Sequence, residues 1–171
     1  MSENSRFQRS RLAVAVGAAL SLGSAQVYAA EGAGRVLSTR GSVFAVTEDG
    51  STRALSQGGH VYSGDIIETR EGRVQIRFHD GGLVSLKPGT EFAIEEYTTD
   101  ADGDGGNAAM RLLKGAMRTI TGAIDGEGDD EYSVETPVAT IGIRGTQYVL
   151  TLCDTGRCGD DVDEGLYGQV V

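Results

Sequence analysis

From Gly34 to Leu150 the hydrophobic signal has a period of two, carried by short runs between turns, and this constrains the fold more than any other feature of the chain. In Arg73–Phe78 the apolar Val74, Ile76 and Phe78 alternate with Arg73, Gln75 and Arg77. Successive side chains of an extended strand point to opposite faces, so such a segment buries one face and wets the other. Similar runs are Ser42–Thr47, Thr52–Leu55, Ile66–Thr69, Leu83–Leu86, Phe92–Tyr97, Met110–Leu113, Ala116–Ile120, Tyr132–Glu135 and Thr146–Leu152. Turn signals such as Asp49-Gly50, Gly64-Asp65, Asp80-Gly81, Pro88-Gly89 and Asp125-Gly126 punctuate them, because glycine supplies the positive φ of tight connections. Short strands with a turn about every ten residues predict an all-β domain, a compact stack arranged as a β-sandwich or a β-solenoid-like roll. Met110–Arg118 comes nearest to a helix, but Gly115 in its middle costs about 1 kcal/mol relative to Ala.

The N-terminus follows a different rule. Arg6, Arg9 and Arg11 precede the apolar run Leu12–Leu22, and small residues follow up to Ala29. This is the order of a secretory signal peptide, with cleavage expected after Ala29 and an exported product, periplasmic or extracellular. The run is too short for a transmembrane helix, which needs about 20 residues, and no later stretch is long and apolar enough to make one. The chain thus divides into a leader (1–29), a β domain (30–152), and an acidic cysteine loop leading into a further strand (153–171). Gly165–Val171 reads as the start of that strand, so the natural product continues beyond it or ends on a paired strand.

Charge and cysteine usage narrow the function. The net charge is −10, and removal of the leader takes it to −12. Nucleic-acid binding needs clustered Lys and Arg, so no nucleic-acid partner is expected. More than half of the remaining acids lie in three loops, around Asp100–Asp104, Asp125–Glu131 and Asp154–Glu164. Cys153 and Cys158 are the only cysteines. In an oxidising compartment they favour a disulfide closing a small loop, with half of a zinc shell as the rival.

Several separated blocks line up with one family. They are Leu55-x-x-Gly58-x-x-Val61-x-x-Gly64-Asp65-x-Ile67-x-Thr69, Val74-x-Ile-x-Phe78-x-Asp80-Gly81, Leu113-x-Gly115-x-Met117-Arg118 and Val134-x-Thr136-Pro137-x-Ala139-Thr140-Ile141-Gly142-Ile143-Arg144-Gly145-Thr146. Together they resemble the FecR domain, an exported β-rich domain of iron-uptake signalling proteins and of many secreted bacterial proteins. The resemblance implies a non-catalytic module that contacts another protein or a cell-envelope ligand. In regulatory members a cytoplasmic segment that binds a sigma factor and a membrane-spanning helix precede the domain. Here a leader occupies that place, so only the exported half is expected.

Turn chemistry accounts for these blocks independently. Gly64-Asp65 suits a sharp strand start, with the Asp side chain bonding the backbone. Pro137 after Thr136 removes a ladder donor and belongs at an edge or a strand start. Gly142 and Gly145 around Ile143-Arg144 suggest a bulge or a close backbone crossing, pinned by Arg144 on a loop carboxylate.

Other chemistry is less well served. Asp100, Asp102 and Asp104 alternate as at the start of a calcium loop, but Arg111 stands where the bidentate Glu belongs. The alternative function is therefore a calcium- or carbohydrate-linked surface module using the acidic loops. A hydrolase built on two carboxylates is a third reading. His60 and His79 are the only histidines, and His79-Asp80 adjacent on a strand point apart, which does not orient an imidazole. No cofactor is expected, because no glycine-rich loop leads into a helix N-terminus.

Overall fold

Alternation becomes burial in the computed structural model, which describes residues 32–100, 105–124, 131–142, 147–153 and 165–170. The leader predicted for residues 1–29 lies outside the described residues. These residues form thirteen strands and no helix. In chain order they are β1 (Gly34–Arg40), β2 (Phe44–Val46), β3 (Thr52–Ala54), β4 (His60–Val61), β5 (Ile66–Glu68), β6 (Arg73–Phe78) and β7 (Leu83–Leu86). Then come β8 (Glu91–Thr99), β9 (Gly106–Ile120), β10 (Glu131–Glu135), β11 (Thr140–Gly142), β12 (Gln147–Cys153) and β13 (Gly165–Val170). In β6, Val74, Ile76 and Phe78 are buried while Arg73 and Arg77 are exposed.

The sheet is curled into two layers that share β9. The back layer runs β3-β2-β5-β8-β9-β10-β11, using residues 106–114 of β9. The front layer runs β4-β1-β6-β7-β9-β12-β13, using residues 115–120. All pairings are antiparallel except that of β10 with β9. The layers face each other across one apolar core. Phe78 of the front stacks at 5.0 Å on Tyr97 of the back, and the Tyr148 and Tyr132 hydroxyls meet at 2.6 Å. Of the two architectures left open by the sequence, facing antiparallel layers are those of a sandwich; solenoid coils would stack parallel strands.

Sequence alternation divided β9 into two runs at Gly115; the structure makes one strand of 15 residues. Gly115 adopts φ +89°, and a Cβ there would lie 2.5 Å from Thr90 Oγ1 and 2.7 Å from Thr90 Cα. The glycine bends the strand without ending it, because each half finds its own partners. Register shifts at Val36/Ser38, Glu91/Phe92 and Ile94/Glu96 add to the curl.

Candidate functional site

Of the residues singled out in the sequence, Asp65, Thr69, Asp80 and Thr136 act as internal locks. Asp65, 1 % exposed, accepts from the Arg53 guanidinium and from the Tyr62 amide at 2.7 Å, while Gly64 before it stands at φ +85°. Arg53 in turn lies over the Tyr62 ring, 5.1 Å from its centroid. Thr69 is buried and donates to the Lys87 carbonyl at 2.5 Å, and its hydroxyl accepts from the Thr90 amide at 2.9 Å. The Thr90 hydroxyl then bonds both backbone groups of Ala116 at 3.1 Å. This threonine relay ties β5 to the corner of β9.

Asp80 draws three segments together. It accepts from the Gly82 amide at 3.0 Å, the Tyr97 hydroxyl at 2.9 Å and the Ile124 amide at 3.3 Å. One side chain thereby joins the β6–β7 turn, where Gly81 sits at φ +88°, to β8 and to the segment leaving β9. Burial pushes the Tyr97 hydroxyl well above the usual tyrosine range, and the Asp80 charge adds to the effect. His79 is exposed while Asp80 points inward, so the two do not act together.

The Thr136-Pro137 pair forms the tight connection between β10 and β11. Thr136 Oγ1 donates to the Ala139 carbonyl at 2.9 Å and accepts from its amide at 3.0 Å. Gly142 ends β11 in open space, with nothing within 4 Å of a Cβ built on it, so the close crossing expected there is not at this glycine. Arg144, Gly145 and Thr146 lie outside the described residues. So do Asp102, Asp104 and Cys158; Asp100 donates its amide to Gly105 at 2.9 Å, and Cys153 is buried at the end of β12. Among the described residues no three His, Cys, Asp or Glu side chains gather in a metal-binding cluster, and no helix is long and apolar enough to cross a membrane.

The sequence model for a family described as FecR protein matches residues 65–159, just over half of the chain. The chain belongs to the FecR family. No curated protein and no solved structure matches it. FecR domains are sensing and regulatory rather than enzymatic, and they interact with proteins in signalling.

In this FecR domain two surfaces stand out. The first is the side where both layers end, at β11 in the back and β13 in the front. A groove of about 470 Å³ opens between them, lined by Ile141, Tyr148, Leu150, Leu166, Gly168 and Val170. The second is a groove of about 480 Å³ on the outer face of the front layer, where Ser38, Gln75 and Ser85 lie among Arg73, Lys87 and Arg118. Neither was visible in the sequence, because each is assembled from strands distant along the chain.

Proposed function

We propose that the protein is an exported, non-catalytic sensing module that docks a protein partner by strand addition on β13. The observation that carries this reading is the character of that edge. Among the described residues β13 pairs with β12, and its six residues, Gly165–Val170, include no charge and no proline. Other outer strands are short: β4 has two residues, and β3 and β11 have three each. Folded proteins blunt a long edge with charge, proline or brevity, and β13 has none of these. Val170 is 72 % exposed. A partner strand laid along β13 would gain main-chain hydrogen bonds, and its alternate side chains would enter the apolar groove beside Leu166 and Leu150.

Export rests on the leader pattern of residues 1–29, and the oxidising compartment it implies suits a Cys153–Cys158 disulfide. The docking test is hydrogen exchange on a complex captured by crosslinking from the native envelope. Strand addition slows exchange at Leu166–Val170, and Val170→Lys, which places a charge on the edge, prevents capture. A partner retained by Val170→Lys, with exchange at these amides unchanged, removes the edge as the docking site.

A further inference from the structure

The two layers divide the charge of the chain between them. Front-layer strands carry Arg35, Arg40, Arg73, Arg77 and Arg118 and no acid, and Lys87 follows β7 directly. Back-layer strands carry Glu68, Glu91, Glu95, Glu96, Glu131 and Glu135 against Arg53, Arg111 and Lys114. Register gathers the front cations on one outer face, with Arg35 opposite Arg77, Arg40 opposite Arg73, and Ser85 opposite both Gln75 and Arg118. All six are exposed, and none forms an ion pair among the described residues. In the back layer Arg111 bridges Glu95 and Glu135, each at 2.9 Å, and Lys114 meets Glu91 at 3.2 Å. Like charges directly opposite on an antiparallel pair are destabilising, so two opposed arginine pairs are kept against the interest of the sheet.

We propose that this face binds an acidic, carboxylate-bearing polysaccharide. Charge complementarity selects a polyanion, although the whole chain is negative at −10. Between the cations the groove presents Ser38, Gln75 and Ser85, which exchange hydrogen bonds with sugar hydroxyls. An acidic polypeptide is a poorer fit, because each residue laid across a sheet face brings a backbone donor and acceptor that need partners. A second copy is a poorer fit too, because Glu91, Glu95 and Glu135 of the back layer already hold Arg111 and Lys114, and Glu68 meets Arg70. This site is separate from the β13 edge and stands or falls without it.

The test is calorimetric titration of the purified chain with polygalacturonate, beside poly-glutamate and vesicles of phosphatidylglycerol and phosphatidylcholine at 3:7. Polygalacturonate binds best, and its affinity falls at least tenfold between about 0.1 M and 1 M salt, where the screening length drops from about 10 Å to 3 Å. Arg73→Ser/Lys87→Ser/Arg118→Ser lowers the affinity at least tenfold while melting no lower than the parent, and Lys114→Ser on the back layer leaves binding unchanged. Tighter binding of poly-glutamate, binding of vesicles alone, salt-sensitive self-association in light scattering, or full affinity in the triple variant overturns the proposal.

Discussion

Gly115→Ala tests whether the corner of β9 is a packed joint. Three terms combine there. A residue with a Cβ held at φ +89° is strained by about 1–2 kcal/mol. The new methyl meets Thr90 Cα at 2.7 Å and the Gly89 carbonyl at 2.8 Å, both backbone, so a strand must shift, at an overpacking cost of about 1–3 kcal/mol. That shift weakens the two Thr90–Ala116 hydrogen bonds, worth about 1 kcal/mol each. Partial loss of those bonds brings the destabilisation to about 4 kcal/mol, a large share of the 5–15 kcal/mol that holds a typical domain. The control is Gly50→Ala, at φ +81° in the β2–β3 turn, where nothing lies within 4 Å of the added methyl. It carries the backbone strain alone, about 1 kcal/mol. The assay is urea unfolding followed by far-ultraviolet circular dichroism, since the chain has no Trp. With a slope of about 2 kcal/mol per molar urea, Gly115→Ala loses about 2 M of midpoint and Gly50→Ala about 0.5 M. Equal losses in the two variants would refute the packed corner.

Three further outcomes are expected. Asp65→Asn removes the charge facing Arg53, whose side chain is one-third exposed, so the loss is about 2–3 kcal/mol in urea unfolding, below that of a fully buried pair. Arg73→Thr relieves the opposition to Arg40 and installs a better strand former, raising stability by about 0.5 kcal/mol in the same assay. Burial holds the Tyr97, Tyr132 and Tyr148 hydroxyls above the ordinary value of 10.0. The unfolded chain therefore loses these protons first. Stability is intact below pH 10 and falls above it by about 1.4 kcal/mol per pH unit for each tyrosine, until the folded-state values are reached. Absorbance at about 295 nm then shows these three ionising together with unfolding; smooth ionisation in the folded state would contradict their burial.

The sequence and the structure agree where the signal is local. The alternation of Arg73–Phe78 predicts β6 residue by residue, and Asp49-Gly50 marks the β2–β3 turn, closed by the Asp49 carboxylate on the Ser51 amide at 2.9 Å. Thr47 and Ser51 hold that carboxyl down to about 2. The locks at Asp65 and Asp80 sit in blocks the sequence singles out, yet their partners Arg53 and Tyr97 lie 12 and 17 residues away and carry no local mark. β4 is too short for periodicity to register, with two residues. Gly115 misleads because local propensity treats glycine as a breaker, whereas pairing on both sides makes it a corner. The division of charge is invisible in a linear reading, since Arg40 and Arg73 become neighbours only through register.

Because β9 threads both layers, neither can peel away from the other without tearing a strand at its midpoint. Loosening at the corner propagates in both directions along the same backbone, so the domain is built to melt as one cooperative body. A pull applied to the β13 edge by an attached strand is accordingly carried through β12 into the shared strand, and from there to the far layer.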